Sequence, residues 1–190
     1  HIIHLAVRER EPYVTHPRNV VVLEPGASAS IVEHWIGERD AEYMTNAVTE
    51  IRVGRDASLR HIKVQDESEA AHHVHRIEVR QEQASTLESH AVAFGASLSR
   101  TEIYVELAGE RADCSLYGLY LAAGRSHVDH HTVIDHQTAR TSSREIYKGV
   151  LDDSARGVFT GKVIVRPDAQ QISAEQTNKN LLLAAGALEI

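Results

Sequence analysis

The sequence predicts an all-β chain wound as a β-helix, a β-solenoid; an antiparallel sandwich or jelly roll is the alternative reading. Three observations lead there. Short alternating strands recur between polar turns with a nearly constant period. No amphipathic helix interrupts that rhythm. The apolar content is mostly Val, Ile, Leu and Ala with only 5% aromatics, a mix that suits strands and a narrow interior.

The elements follow in order. His1–Val7 reads as a strand and Arg8–Pro12 as a charged turn. Val20–Leu23 is a second run, closed by the turn signal Glu24-Pro25-Gly26. Ser30–Ile36 alternates Ile31, Glu33 and Trp35 on one face with Val32, His34 and Ile36 on the other, and Gly37–Asp40 turns the chain. From there strand and turn repeat: Ala47–Val53, Gly54-Arg55-Asp56, Ser58–Val64; Arg76–Arg80, Gln81-Glu82-Gln83, Ser85–Phe94; Thr101–Leu107, Gly109-Glu110-Arg111, Asp113–Leu121. His130–Ile134 leads through Thr138–Arg140 into Ser142–Val150. The densest stretch, Thr141–Leu183, holds the runs Glu145–Leu151, Gly157–Val165 and Gln170–Ala174, between the turns Asp152-Asp153-Ser154 and Arg166-Pro167-Asp168. The polar segment Gln65–His75 is expected to be the loosest loop.

An alanine accompanies each turn: Ala29, Ala57, Ala84, Ala112 and Ala139, spaced by 28, 27, 28 and 27 residues. Ala155 and Ala169 follow at about half that spacing, so one repeat holds two strand–turn units. A period of ~20–50 residues marks a solenoid, propeller or array, and a propeller blade needs ~40–45. In a β-solenoid each coil leaves an apolar face that only the next coil covers, at ~4.8 Å strand spacing. Arg52, Arg80, Tyr104 and Glu106 fall on outward positions.

Composition sets limits. With 190 residues, one domain over 1–190 is expected. A net charge of −7 speaks against a general nucleic-acid binder, which carries a basic footprint. No run approaches the ~20 apolar residues of a membrane span, and no secretory leader pattern opens the chain. One cysteine, Cys114, rules out an internal disulfide and points to a reducing compartment, the cytoplasm by default. The chain lacks an initiator methionine, its only one being Met44, and is read as trimmed from a longer protein.

Thirteen histidines are the compositional anomaly. On a strand, His127, Asp129 and His131 share one face, an imidazole–carboxylate set suited to iron or zinc, while His130 points the other way and Asp135-His136 lies close behind. The competing reading is a polar ladder on a stacked sheet. A second cluster, His72-His73-x-His75, followed by Glu78, admits a cupin-like metal enzyme as the alternative function, although the spacing is short and the flanking glycines are missing. Cys114 is either a buried small hydrophobe or a thiol relay for sulfur or metal. Gly157–Val163 lacks the spacing of a phosphate loop, and no nucleophile elbow is present.

Several motifs in one order carry a resemblance. Thr141-Ser142-Ser143-Arg144-Glu145-Ile146-Tyr147-Lys148-Gly149 is followed by Ala155–Lys162, by Arg166-Pro167-Asp168-Ala169-Gln170 and by Gln176–Leu183. Upstream stand His16–Asn19, Thr45–Glu50, Gly118–Leu121 and His127–Asp129. Together they resemble the SufB/SufD family of iron–sulfur cluster assembly scaffold proteins, in its SufD branch. The resemblance implies a right-handed parallel β-helix and a non-catalytic subunit. It implies pairing with SufB, or with itself, through the β-helix, and the SufC ATPase as a partner docking on C-terminal helices. The iron–sulfur cluster would be assembled transiently on the full complex, in the cytosol or plastids, with no cofactor intrinsic to this core. The sequence departs from the family at its end. The C-[ST]-H-G-type segment, which supplies the family's interface histidine, and the SufC-binding helices are not in it, and Ala184–Ala187 is shorter than the acidic loop expected there.

Overall fold

The computed structural model describes residues 1–190. All of its regular structure is β, in fifteen strands: β1 (Ile2–Ala6), β2 (Tyr13–Thr15), β3 (Arg18–Leu23), β4 (Ser28–Gly37), β5 (Tyr43–Val53), β6 (Ser58–Asp66), β7 (His72–Gln81), β8 (Thr86–Ala93), β9 (Leu98–Leu107), β10 (Asp113–Ala122), β11 (His127–His136), β12 (Ser142–Leu151), β13 (Arg156–Val165), β14 (Ser173–Leu182) and β15 (Leu188–Glu189). Alternate strands join alternate sheets. The seven-stranded sheet runs β1-β4-β6-β8-β10-β12-β14 and the eight-stranded one β15-β13-β11-β9-β7-β5-β2, with β3 also on β5. Every ladder is parallel. This is a parallel β-solenoid of about six turns, and it excludes the antiparallel sandwich.

The register explains the sequence rhythm. Ser28, Ser58, Thr86, Asp113, Ser142 and Ser173 stand in one row across the seven-stranded sheet, so each turn consumes 27 to 31 residues. The alanines that mark the rhythm are not one structural position. Ala57 and Ala112 close their turns by donating to Gly54 and Gly109. Ala84 instead occupies the left-handed corner itself, at φ 54°, equivalent to Asp56, Arg111 and Gly26. Ala29 lies inside β4. What recurs is a corner needing a left-handed residue, an uncommon conformation for any residue but glycine. The opposite corners carry their own buried alanines, Ala41, Ala71, Ala155 and Ala187.

Three boundaries differ from the sequence reading. The expected loop Gln65–His75 shrinks to 67–71, because β6 and β7 extend into it. The strand expected over His130–Ile134 runs from His127 to His136. The run expected over Gln170–Ala174 begins only at Ser173, after a corner with Gln171 in the left-handed region.

The interior is divided lengthwise. Along the corners that lead into the seven-stranded sheet runs an apolar core of sixteen buried residues, among them Leu59, Leu87, Cys114 and Leu116 facing Ile77, Val79, Val105 and Ile134. Along the opposite corners, a second apolar cluster built on Tyr120, Val128 and Leu151 fills only the C-terminal half. The N-terminal half of that side has only a small apolar cluster, Ala41, Tyr43 and Ala71, at its corner, and is otherwise polar.

Candidate functional site

Strand alternation places the polar residues inside. In β4, Ile31, Glu33 and Trp35 share the inner face; in β6, Leu59, His61, Lys63 and Gln65 do. Across the lumen, β5 and β7 contribute Thr45, Thr49, His73 and His75, all buried. Space for the long side chains comes from small neighbours in the same row. Lys63 sits between Glu33 and Ala91, and Gln65 between Trp35 and Ala93.

Two carboxylates anchor this file. Glu67, in the corner after β6, accepts from the Thr45 hydroxyl (3.0 Å) and the Gln65 amide (3.1 Å) and faces His73 Nδ1 at 2.6 Å. Burial pushes its pKa up, but these partners, His73 first, carry it below the ordinary carboxylate value. Glu33 accepts from Asn19 (3.2 Å) and Thr49 (3.4 Å) and lies 3.5 Å from His61 Nε2. Burial opposes its ionisation too, and His61 leads the groups that bring it below the usual range. Thr49 also reaches His75 Nε2 at 2.9 Å.

Lys63 is the central cation. It is buried and donates to Thr101 Oγ1 at 2.8 Å. Desolvation lowers its pKa to about 7, against the raising pull of Glu67 and Glu33. The imidazoles respond to the same burial: His73 falls to about 4 and His130 to about 3, each also pushed down by Lys63, and His75 falls well below its usual value. Near neutral pH the file therefore holds two carboxylates, the neutral imidazoles of His73 and His75, and one ammonium poised to titrate, a set suited to holding and relaying protons. A cavity of about 600 Å3 at the N-terminal mouth of the solenoid reaches its edge, with His4, Trp35, Thr45 and Glu67 in the wall. His4 stacks on Trp35 with ring centroids 3.7 Å apart.

The residues singled out in the sequence fall in different places. His127, Asp129 and His131 do share the outer face of β11. Asp129 is held by Arg100 (2.6 Å) and by His131 Nε2 (2.9 Å), and no three His, Cys, Asp or Glu side chains anywhere in the chain group as a metal site. His130 points inward and is buried, and both its ring nitrogens lack a partner within the protein. The cupin-like constellation is corrected by geometry. His73 and His75 face the lumen while His72 and Glu78 are exposed on the other side of the same strand, so they cannot ligate one ion, and the parallel coils are not a cupin barrel. Cys114 is fully buried, and desolvation, then Glu145, raises its thiol pKa well above normal, which keeps it protonated. His136 is tied between Thr141 (2.7 Å) and Ser143 (3.0 Å).

The sequence reading overlooked Lys63, Glu67 and the inward role of Glu33. The available signal was alternation: Lys63 shares its face with Leu59 and His61, and Glu33 with Ile31 and Trp35.

Comparison with known proteins gives a consistent result. The family model for the SufBD core domain of the SUF system for FeS cluster assembly matches residues 6–188. An iron–sulfur cluster assembly SufBD family protein of Synechocystis is 30% identical over 98% of this chain and 43% of its own length. The iron–sulfur cluster assembly protein SufD of Escherichia coli is 29% identical over 93% of this chain and 42% of its own length. The chloroplastic protein ABCI7 of Arabidopsis thaliana is 34% identical over 90% and 36%. The chain thus spans less than half the length of each of these relatives. No helix is long and apolar enough to cross a membrane.

Proposed function

Because the chain belongs to the SufBD core family of the SUF iron–sulfur cluster assembly system, we propose that it is the β-solenoid core of a SufD-type scaffold subunit. The cluster is its cargo. The subunit contributes shape, pairing surface and buried polar chemistry, and carries out no turnover of its own. The similarity to Escherichia coli SufD and the run Arg144-Glu145-Ile146-Tyr147-Lys148-Gly149 support the SufD branch. In this reading its partners are a SufB subunit, or a second SufD-like chain, and the SufC ATPase. It acts in the cytosol or, given the chloroplastic relative, in plastids.

The observation that carries the reading is the match of the SufBD core family model to residues 6–188, on a chain whose strands wind as one parallel β-solenoid. Co-expression of the tagged chain with SufB tests the reading. Capture of SufB is expected, and failure to capture it refutes the reading.

A further inference from the structure

Beyond Lys63 the buried polar groups continue past the middle of the solenoid, and the register sets them in file. His73 and Ser99 are neighbours in one inward row of the eight-stranded sheet, and His75, Thr101 and His130 follow one another in the next. Thr132 stands two residues beyond His130 on the same inner face, and the carboxyl of Glu145, from β12, lies beside it. All are buried. At the other end Glu67, 2.6 Å from His73 Nδ1, forms part of the wall of the mouth cavity. The file thus leads from the mouth, across β7, β9 and β11, to an acid with no exposed surface.

Most of these groups find no partner in the chain. His73 Nε2, His75 Nδ1, both ring nitrogens of His130, and the side-chain oxygens of Ser99, Thr132 and Glu145 are buried without a hydrogen bond from any other residue. Each such group costs about 1–3 kcal/mol if nothing meets it, and ordered water is what commonly meets it. The spacing fits water. Neighbours in a row sit one strand apart, ~4.8 Å, too far for a direct hydrogen bond and right for one bridging water. The middle of the file is also the lightest in side-chain volume: β8 turns Ser89, Ala91 and Ala93 inward, and β9 turns Ser99 and Thr101. A protein of 190 residues holds about seven buried waters at the common ratio, enough to bridge these gaps.

We propose that ordered water joins these side chains into a proton-conducting file that connects the mouth of the solenoid with Glu145. This gives the interior a function of its own and does not depend on the family reading. Each group suits its step. A neutral imidazole takes a proton at one ring nitrogen and releases one from the other, and a hydroxyl does the same through its oxygen. Lys63 donates to Thr101 Oγ1 at 2.8 Å, which leaves that hydroxyl's own proton free for the next bond in the file. The His130 ring is held between Tyr120 and Tyr147, each 5.3 Å away between ring centroids. Burial outweighs the pull of Thr132 and raises the pKa of Glu145, so the file ends on a protonated acid. In D2O one deuteron enters at Glu67, each carrier accepts one and passes one on, and one proton leaves, so the charge of the file is unchanged.

Infrared spectroscopy of the 190-residue chain after transfer to D2O tests it. The carbonyl stretch of the Glu145 acid shifts when its proton exchanges, and Glu145→Gln identifies the band by deleting it. Wild type is expected to exchange at this band well before the core amides, whose exchange waits for the coils to open. His130→Leu and Thr132→Val interrupt the file and slow the shift by about a hundredfold, the scale of loss when a positioned proton carrier is removed. The core amides report in the same spectra whether either variant has loosened the fold, and the near-isosteric Thr132→Val decides the matter if His130→Leu does not fold. Ser89→Ala removes a hydroxyl that lies off the file, 3.2 Å from His61 Nδ1, and leaves the rate unchanged. The absence of an acid band that Glu145→Gln removes, exchange no faster than that of the core amides, or a rate that folded His130→Leu and Thr132→Val leave untouched each overturns the proposal.

Discussion

Replacing Lys63 by methionine removes a buried ammonium of similar length and leaves the lumen filled. In the folded chain the lysine titrates at about 7, because desolvation outweighs the pull of Glu67 and Glu33. In the unfolded chain it titrates near ~10.4. Between those values the unfolded state binds the extra proton, so stability rises with pH across the window, reaches its full value above the unfolded pKa, and falls away as pH drops toward the folded one. The limiting slope is about 1.4 kcal/mol per pH unit for one proton, which integrates to about 2 kcal/mol between pH 7 and pH 9. Urea titrations at pH 7, 8 and 9 measure this directly. Wild type is expected to gain about 2 kcal/mol over that range relative to Lys63→Met. Burial raises the Cys114 thiol well above its ordinary value, so it too favours the protonated form in the folded chain, but it is present in both proteins and cancels in the difference. Parallel stability–pH curves for the two proteins would falsify the placement of a titrating lysine in the lumen.

Other outcomes follow from the same interior. His73 and His130 are held neutral, at about 4 and about 3; both take up protons on unfolding below pH ~6.5, so stability falls with acidification through that range, and His130→Leu flattens the fall in urea titrations between pH 4 and 6. Gly118 lies in register with Tyr147, whose ring occupies the space a Cβ would need; Gly118→Ala therefore overpacks the interior and costs about 1–3 kcal/mol in thermal or urea unfolding. The Tyr147 hydroxyl is buried with no partner in the chain, so Tyr147→Phe is expected to leave stability unchanged or raise it by up to about 1 kcal/mol, the opposite sign to Gly118→Ala. On the outer face, Arg100→Ala frees Asp129 beside His131; zinc titration by calorimetry should detect tighter binding there than in wild type, and the gain should vanish in Arg100→Ala/His131→Ala.

Much of the fold is written in features that depend on the backbone alone. Alternation and the length of a turn are local, and a coil that repeats every 27 to 31 residues leaves them in the sequence as a period. The alanine marker was legible for a weaker reason: alanine is tolerated both at the closing position, as Ala57, and at the left-handed corner, as Ala84, so one letter stood for two geometries. The site was harder to see. His73 and His75 declared themselves by type, yet the partner of His75, Thr49, comes from the preceding coil, and that of His73, Glu67, from a corner with no strand alternation to orient it. Lys63 went unmarked: alternation puts it on the inner face with Leu59 and His61, but the room for it comes from Ala91 in the next coil, a fact of register. His127, Asp129 and His131 were placed on one face correctly, but Arg100, on the neighbouring strand β9, already engages their carboxylate.

The solenoid itself explains how so polar an interior is tolerated. A globular core is held mainly by apolar burial, so a buried lysine near a neutral histidine threatens it directly. Here 92 of the 132 backbone hydrogen bonds lie in the strand ladders that tie coil to coil, independent of what the side chains are. The sixteen-residue apolar core runs along one line of corners through the middle coils. That leaves the opposite line free to vary, and it does: Tyr120, Val128 and Leu151 close it in the C-terminal half, whereas Glu33, Lys63, Glu67 and His73 occupy it in the N-terminal half. If this division is the structural logic, stability should respond unequally to the two lines. Truncating Leu87 to alanine on the apolar line removes fully buried side-chain volume and should cost about 2–5 kcal/mol. Replacing the pair Lys63 and Glu33 together by methionine and glutamine should cost far less, or stabilise, because the desolvation penalty of both charges disappears with them. Equal losses at the two sites in urea unfolding would mean that the polar file carries the coil stacking after all.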